Sequence, residues 1–437
     1  MKSSFLSSKK FLAFAIILLG VYLNWRWRKP GIPPNLLGNR VDFYPEFIDK
    51  EVQQELLEIM KGLKVFPASF QGSQFNTTTY EHIGEAEPFD PEKGCTNPYL
   101  IPNAARTLCT LPTRFDFLRN WMIYGGIDGL KENFDMLATR IQSFGQYIFN
   151  IQDYPVMMEK LFFSEKFIKA AKKICPSEKQ VLDPYSFHFV IQIPGQALPI
   201  HIDSQYMEDA SRFHYPAWLP TIMAASGLYQ DKLIEQVQGV LYLHEWNDTD
   251  IGGHFAMYTR DDNTPDYEIP YPRGVGLVDG SRTMHASTVF KPNAYLPILP
   301  KDAENELVYQ EEGDIWELQS DEKVLNRYKT NEFRITLVYR SRCFASEEKR
   351  QSFRESHKSG KNVRPIEIVL DELKSALISR FGYTKEELDA MPRLQLANVL
   401  ANRFLNYPRP VNAIIPFNYC ALPVIMPWTD IFFKLIC

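Results

Sequence analysis

The stretch that decides the fold is FHFVIQIPGQALPIHIDS, residues 187–204. An apolar run ends there in the motif H-x-D, formed by His201 and Asp203. Residues i and i+2 of a strand point to the same side of a sheet, so these two side chains are expected to face one cavity while Ile202 packs on the opposite side. H-x-D alone is a weak signal. A metal site would also need a third ligand, which must come from a distant strand that folds back alongside.

A second histidine supplies the candidate third ligand. The segments QGVLYLHEWNDTDIGGHFAMY, residues 238–258, and YPRGVGLVDGSRTMHAS, residues 271–287, have the composition of further strands and turns, and the second contains His285. Two imidazoles and one carboxylate form a facial triad that holds one face of an Fe(II) ion and leaves the opposite face open. The sequence therefore predicts a metal site made by His201, Asp203 and His285.

In this order the motifs resemble those of the Fe(II)/2-oxoglutarate-dependent dioxygenases, most closely the prolyl 4-hydroxylase-like branch. The resemblance covers roughly residues 40–345 and implies an α+β fold: a double-stranded β-helix (jelly-roll) core with flanking helices and a small helical C-terminal unit. The positions that match the family pattern are Pro194, Gly195, His201, Asp203, Leu241, Tyr242, Leu243, Gly252, Gly253, Pro272, Gly274 and His285. Three further histidines, His214, His244 and His254, are rival metal candidates, but they lie off the ligand positions of this pattern.

The resemblance also implies the reaction and its cofactors. They are Fe(II), 2-oxoglutarate as co-substrate and O2, with ascorbate as a further candidate. The enzyme would be an oxidoreductase that hydroxylates a C–H bond of its substrate and releases succinate and CO2. A prolyl-type protein hydroxylase is one reading, and a small-molecule or lipid oxygenase is another. A third is a non-catalytic, membrane-anchored jelly-roll binding module, against which the complete ligand set argues.

A basic residue is needed in this family to pair with the distal carboxylate of 2-oxoglutarate. The strand FRITLVYR, residues 333–340, offers Arg334, Thr336 and Arg340, and a planar guanidinium can grip a carboxylate with two hydrogen bonds. We expect Arg334 to bind the co-substrate, with Arg340 as the second choice. Since the family's basic residue usually follows the second histidine closely, a long insertion, residues 286–330, is predicted to loop out before this strand.

Composition limits the partners. The chain has 437 residues, of which 45% are hydrophobic and 14% aromatic, enough for one large core or two ordinary ones. Its formal net charge of −5 gives no electrostatic reason to expect nucleic acid. The substrate, protein or small molecule, is left open by the sequence.

The N-terminus carries a targeting signal. Lysines precede an unbroken apolar run over residues 11–23, and Trp25 and Trp27 follow it. The run is shorter than the roughly 20 residues of a full membrane span and also suits the core of a signal peptide. We expect residues 1–30 to be a single-pass signal anchor that holds the enzyme on the luminal side of the endoplasmic reticulum or Golgi membrane. If the segment is a cleaved signal peptide, the protein is secreted.

The six cysteines fit that compartment. Cys95 and Cys109 lie in a region rich in Pro, Asn and Gly, where they could close a disulfide loop or equally stay as buried thiols. No cysteine spacing suggests zinc. Asn76 and Asn247 begin glycosylation sequons, which matter only in a luminal domain.

Three regions follow from these patterns. Residues 1–30 are the anchor or signal peptide. Residues 40–345 are the dioxygenase domain, with helical support over 40–180, including helices across most of 114–174, and the jelly-roll core over 181–345. Residues 346–437 comprise a charged linker to about residue 363 and a helical, apolar C-terminal region. The aromatic connection from residue 206 to 223 is either a lid over the site or a separate hydrophobic cluster.

Overall fold

The computed structural model describes residue 20, residues 31–68 and residues 87–437, except 104, 113, 212–214, 247, 361, 412, 414, 416 and 434–435. The predicted anchor (apart from residue 20), both sequon asparagines and His214 lie outside the described residues. In the described part of the chain, no helix is both long and apolar enough to cross a membrane.

Antiparallel strands account for the centre of the molecule. Twenty are found among the described residues: β1 Val41–Tyr44, β2 Val65–Pro67, β3 Glu87–Pro88, β4 Ile101–Pro102, β5 Leu108–Thr110, β6 Phe144–Ile148, β7 Val181–Gln192, β8 Leu198–His201, β9 Tyr206–Met207, β10 Ala210–Ser211, β11 Leu233–Ile234, β12 Gln236–Tyr242, β13 Phe255–Tyr258, β14 Asp266–Glu268, β15 Val275–Val278, β16 Met284–Ser287, β17 Asn305–Gln310, β18 Ile315–Ser320, β19 Lys323–Lys329 and β20 Arg334–Phe344.

Helices lie before, between and after the strands. The α-helices are α1 Lys50–Gly62, α2 Phe115–Tyr124, α3 Phe134–Arg140, α4 Glu165–Ile174, α5 Trp218–Ser226, α6 Glu347–Ser359, α7 Ile366–Phe381, α8 Lys385–Asp389, α9 Arg393–Phe404, α10 Leu422–Ile425 and α11 Asp430–Phe433. A π-helix spans Met157–Phe162, and short 3-10 helices span Pro34–Leu36, Ile151–Asp153, Thr330–Glu332, Tyr419–Ala421 and Pro427–Thr429.

Two sheets position the predicted site. The larger sheet has the strand order β1-β15-β12-β20-β7-β6, and the smaller has the order β14-β13-β16-β8. Every residue of β20 and of β12 is buried, so these central strands are covered on both faces. The structure is therefore a mixture of helices and antiparallel sheets, as the α+β prediction required.

Alternation along β7 separates the hydrophobic core from a cavity. Phe187, Phe189 and Ile191 point outward into a cluster that includes residues of α1 and α4. His188 and Gln192, one residue out of phase, line the cavity between the two sheets. The period of two in the sequence thus places apolar residues under the helices and polar ones toward the site.

Two segments differ from the sequence predictions. Residues 144–148, expected to continue a helix, form β6 and pair with β7, because aromatic and β-branched residues fit a half-buried sheet edge. The predicted charged linker contains α6, capped by the Ser346 hydroxyl, which accepts from the backbone N–H of Lys349 at 3.2 Å. The Glu, Lys, Arg and Gln residues of α6 are good helix formers, and Phe353 is its buried residue.

The predicted insertion is ordered. Strands β17, β18 and β19 form a meander whose first strand pairs with β2, and Trp316 is fully buried under it. Most of the inserted residues thus form this small sheet, and β20 begins at Arg334, which pairs with Gln192 at the end of β7. Two helices begin with side-chain caps: Asp49 caps α1, and Thr384 forms a capping box with Glu387 at α8.

All six cysteines are paired. The disulfides are Cys95–Cys109, Cys175–Cys343 and Cys420–Cys437. The first confirms the loop closure that the sequence left open. The second joins the residue after α4 to β20, and the third closes the C-terminal tail on itself.

Candidate metal centre

The three predicted metal ligands lie together. His201 ends β8 and is paired directly with His285 on the neighbouring β16, and Asp203 follows two residues after His201. One ligand atom from each of the three side chains lies within 4.8 Å of the others, and all three residues are buried. The antiparallel pairing therefore closes the 84-residue gap in sequence between the two histidines (285 − 201 = 84).

The orientation of both imidazoles suits metal binding. Nδ1 of His201 lies 2.8 Å from the carbonyl oxygen of Pro199, and Nδ1 of His285 lies 2.8 Å from that of Thr283. A carbonyl oxygen only accepts, so each Nδ1 carries a proton, and Nε2 is the ring nitrogen left to face a metal. Such backbone partners fix the tautomer and the ring orientation of metal-binding histidines.

The carboxylate of Asp203 is held by one oxygen and open at the other. Its Oδ1 accepts from Nη2 of Arg340 at 3.1 Å, whereas Oδ2 is buried without any hydrogen-bond partner among the described residues. A buried oxygen without a partner costs free energy, and a metal ion would satisfy it. Gly280 packs so closely that a Cβ there would lie 2.4 Å from this oxygen.

Electrostatics favour the protonation states that a metal requires. Burial by itself would raise the pKa of Asp203, but the Arg340 guanidinium and the two imidazoles oppose it and hold that pKa well below its usual range. Burial and the neighbouring His201 lower the pKa of His285 to about 4. At neutral pH the cluster therefore offers an ionised carboxylate and a neutral His285, the forms that coordinate metals.

A cavity of about 170 Å³ adjoins these ligands between the two sheets. This is several times the roughly 30 Å³ share of one water molecule in the liquid. Most of its exposed wall surface is apolar, as in ligand pockets, and many polar side chains also line it. Besides the three ligands, the described lining residues include Arg114, Phe117, Tyr147, Tyr185, His188, Val190, Gln192, Gln238, Phe255, Arg334, Thr336 and Arg340.

Arg334 is a buried cation that faces this cavity without a carboxylate. Its Nε donates to the carbonyl oxygen of Gly253 at 2.8 Å and its Nη1 to Oε1 of Gln192 at 2.7 Å. No acidic side chain among the described residues forms an ion pair with it, and burial lowers its pKa. An arginine stays charged in proteins, so an anionic ligand would compensate this charge. Thr336 also lines the cavity, with its hydroxyl 3.4 Å from the carbonyl oxygen of Val190.

Arg340, the second choice for the co-substrate, has other partners. Besides Asp203, its Nε donates to Oε1 of Gln238 at 3.2 Å, and its Nη1 lies 2.8 Å from Nδ1 of His188. All three guanidinium nitrogens are thus engaged by side chains of the cavity wall. Of the two arginines, Arg340 thus contacts a carboxylate, and Arg334 contacts none among the described residues.

The other candidate histidines stand apart from the cluster. Nε2 of His244 lies 2.7 Å from the carbonyl oxygen of Pro270, and its ring stacks on Trp246; burial lowers its pKa to about 3. His254 lies nearer the surface, where Nε2 is 2.9 Å from the carbonyl oxygen of Thr249. Neither side chain reaches the metal ligands.

Most of the remaining lining was not identified from the sequence. His188 and Gln192 share the period of two with Val190 in the stretch FHFVIQ, so the cavity face of β7 could have been read from that alternation. Arg114, on the other hand, lies at the start of α2 and has no sequence pattern that connects it with the site. In the aromatic connection, residues 206–223, only Ala217 of the described residues lines the cavity. Its large side chains Met207, Tyr215, Trp218 and Met223 belong to a hydrophobic cluster that also contains Ile200 and Ile202, and Tyr206 belongs to another.

Comparisons with known proteins return similar structures only. No family model matches the chain, and no curated protein does either. A prolyl-4-hydroxylase from Pseudomonas putida is similar at 10% identity and a TM-score of 0.30, over 72% of this chain and 96% of that one. HygX from Streptomyces hygroscopicus, with nickel and 2-oxoglutarate bound, is similar at 9% identity and a TM-score of 0.30, over 70% and 83%.

A third structure is a viral collagen prolyl hydroxylase from Paramecium Bursaria Chlorella virus-1 in complex with 2-oxoglutarate. It is similar at 9% identity and a TM-score of 0.30, over 70% of this chain and 97% of that one. Similarity at this level assigns neither a family nor a branch to this chain. The Fe(II) and 2-oxoglutarate expected from the sequence are supported by the chain's own residues, which provide two nitrogen donors, one unpaired carboxylate oxygen and a buried cation.

Proposed function

We propose that this chain is an Fe(II)- and 2-oxoglutarate-dependent dioxygenase that hydroxylates a C–H bond of its substrate. The observation that carries the proposal is the cluster of ligand atoms from His201, Asp203 and His285 beside a cavity that Arg334 also lines. The buried Oδ2 of Asp203, which has no hydrogen-bond partner among the described residues, adds to it. Three ligands on one side leave the other metal positions free for reactants. A structural histidine cluster would have no use for a buried carboxylate oxygen without a partner.

Each residue has a distinct task in this proposal. His201, Asp203 and His285 hold Fe(II), while Pro199 and Thr283 keep the imidazoles oriented through their carbonyl oxygens. Arg334 binds the distal carboxylate of 2-oxoglutarate, with Gln192 and Gly253 fixing its guanidinium. With both bound, the iron supplies the oxidation of a C–H bond by O2, so that substrate, 2-oxoglutarate and O2 give hydroxylated substrate, succinate and CO2. The apolar walls exclude water from that reaction.

The charges that line the cavity favour a substrate without positive charge. Asp203 is the sole acidic residue among the described residues that line the cavity, and it serves as a metal ligand. Three arginines, Arg114, Arg334 and Arg340, line the same cavity. A cationic side chain such as lysine would find no counter-ion, whereas a neutral group such as proline would fit. The prolyl-type reading is therefore our first choice, and a neutral or acidic small molecule is the second.

The strand order supports the finer fold assignment that we propose, a double-stranded β-helix. The core strands alternate between the two sheets along the chain: β7 large, β8 small, β12 large, β13 and β14 small, β15 large, β16 small and β20 large. Two sheets built by strands that cross back and forth in this way are a jelly roll. The proposed regions remain the catalytic domain 40–345 and the C-terminal region 346–437.

We further propose a location in the lumen of the secretory pathway, with a membrane contact through the N-terminal segment. Three disulfides in one chain are typical of an oxidising compartment. Exposed Trp428, Ile431 and Phe432 near the C-terminus provide an additional apolar surface. Fractionation of cells that express the tagged chain, followed by carbonate extraction and protease protection, tests this assignment.

Turnover tests the reaction. We would measure succinate formed from 2-oxoglutarate with Fe(II) and ascorbate, comparing the wild type with His201→Ala. His254→Ala is the matched control, because it removes an imidazole outside the cluster. We expect turnover in the wild type and control and none in His201→Ala. Equal turnover in all three would exclude the proposed iron site, and a wild type that neither binds metal nor turns over would favour the binding module.

A further inference from the structure

The C-terminal region packs on the back of the metal-ligand segment. Ile200 and Ile202, which flank His201, belong to one hydrophobic cluster with Leu396 and Leu400 of α9. A polar contact joins α9 to α2 as well, since Nε of Arg119 on α2 donates to Oδ1 of Asn398 on α9 at 2.7 Å. The region after residue 346 is thus part of the catalytic body.

A buried chain of hydrogen bonds runs from this region to the ligand segment. The hydroxyl of Tyr407 donates to Oδ2 of Asp116 at 2.7 Å. Asp116 also accepts from Nε and Nη2 of Arg114, at 2.9 and 2.8 Å. Nη2 of Arg114 then donates to the carbonyl oxygen of Ile202 at 2.9 Å.

Burial makes this chain of contacts specific. Asp116 is 3% exposed and Tyr407 is 4% exposed, so neither has water to replace a lost partner. The carboxylate of Asp116 neutralises Arg114 and holds its guanidinium in one plane, which a two-point contact does better than a single charge. Tyr407 lies 291 positions after Asp116 in the sequence, and none of the three residues is assigned a chemical step in the proposed reaction.

The far end of the chain of contacts lies between two metal ligands. Ile202 separates His201 from Asp203, and its carbonyl fixes the peptide plane that leads into Asp203. The N–H of Asp203 donates to the carbonyl oxygen of Gly280 at 2.8 Å. Arg114 and Gly280 therefore hold the backbone on both sides of the peptide bond between residues 202 and 203.

We propose that Tyr407, Asp116 and Arg114 are positioning residues through which the C-terminal region holds the His201–Asp203 segment in its metal-binding conformation. This inference rests on the metal site of the proposed function. It adds that the region after residue 346, which lies beyond the sequence resemblance, is required for metal affinity.

Metal binding gives a readout that does not depend on turnover. Co(II) alone would be titrated into the metal-free full-length protein, and its visible absorption bands would report both affinity and ligand geometry. The variants are Arg114→Lys, which keeps the charge but removes the two-point contact, and Tyr407→Phe, which removes one hydroxyl. Because partners that orient metal ligands contribute about 10–100-fold to affinity, we expect Co(II) binding about tenfold or more weaker in Arg114→Lys and several-fold weaker in Tyr407→Phe.

Tyr229→Phe is the matched control. Tyr229 is also 4% exposed, and its hydroxyl donates to Oε2 of Glu372 on α7 at 2.7 Å. This bond also ties the C-terminal region to the body but does not lead to the ligand segment. The control should lose thermal stability as Tyr407→Phe does and keep wild-type Co(II) affinity and spectrum.

The outcomes separate the two proposals. Co(II) affinity and spectra unchanged in Arg114→Lys and Tyr407→Phe, with tight binding by the wild type, would overturn the positioning role alone. Equal weakening in Tyr229→Phe would also overturn it, because the effect would then be general destabilisation. A wild type without Co(II) binding at this cluster would overturn both the positioning role and the proposed function.

Discussion

Replacement of Arg334 should weaken 2-oxoglutarate binding without changing metal affinity. The guanidinium is buried, makes two hydrogen bonds to the protein and has no carboxylate partner among the described residues. Hydrogen bonds between charged groups contribute about 1.5–3 kcal/mol each, and every 1.4 kcal/mol is about a factor of ten in affinity. Arg334→Lys keeps the charge and loses the second contact, so we expect KM for 2-oxoglutarate to rise about 10- to 100-fold. Arg334→Gln loses the charge as well and should raise it about 1,000-fold.

The assay is succinate formation as a function of 2-oxoglutarate concentration, with Co(II) affinity measured in parallel. Arg340→Lys is the matched control, since it alters an arginine six residues along the same strand. Arg340 contacts Asp203 at 3.1 Å, so this variant should weaken Co(II) binding about tenfold. Unchanged KM in both Arg334 variants, together with a raised KM in Arg340→Lys at saturating metal, would refute the assignment and make Arg340 the co-substrate residue.

Three further predictions follow from local geometry. Gly280→Ala should lower Co(II) affinity about tenfold or more, because its Cβ would lie 2.4 Å from Oδ2 of Asp203. Gly62→Ala at the end of α1 is the control, since the added Cβ would have no atom within 4 Å. Equal Co(II) affinity in both variants would contradict the close fit at Gly280. Joint replacement of Cys175 and Cys343 by serine should destabilise the protein by about 2–5 kcal/mol in urea unfolding. The loss should exceed that of the same change at Cys95 and Cys109, because the closed loop is longer (168 against 14 residues). A larger loss of stability on removing the Cys95–Cys109 disulfide would contradict this prediction. The free energy of unfolding of the metal-free protein should fall by about 1.4 kcal/mol per pH unit for each buried neutral histidine as the pH drops from about 6.5 toward 4. The reason is that burial lowers the pKa of His244 to about 3 and that of His285 to about 4, so the unfolded chain takes up those protons first. His244→Phe should remove the contribution of one histidine to this pH dependence, and an unchanged slope would argue against a neutral buried His244.

The sequence predicted what depends on short-range strand geometry. H-x-D places His201 at the end of β8 and Asp203 two residues beyond it, toward the same cluster. The second histidine lies beside them because β16 pairs with β8. The helix caps at Asp49 and Thr384 are local in the same sense, since a cap depends on three or four consecutive residues.

Long-range packing accounts for the differences. The period of residues 144–148 was compatible with a helix, and only the open edge of β7 makes them a strand. The charge density of residues 347–359 suggested a linker, but Asp183 on β7 is completely buried against Arg342 and the α6 residue Arg354. Partners so far apart in sequence leave no local pattern, which is also why Arg114 and Tyr407 were not identified.

The measurement that tests the central claim most directly is an anaerobic calorimetric titration of 2-oxoglutarate into the protein with and without Fe(II). The account predicts one 2-oxoglutarate per chain with Fe(II) present and binding at least tenfold weaker without it, since the iron and Arg334 grip opposite ends of one molecule. The same linkage requires 2-oxoglutarate to tighten Fe(II) binding by an equal factor. Binding of equal strength with and without Fe(II), or no binding in either case, would contradict the account.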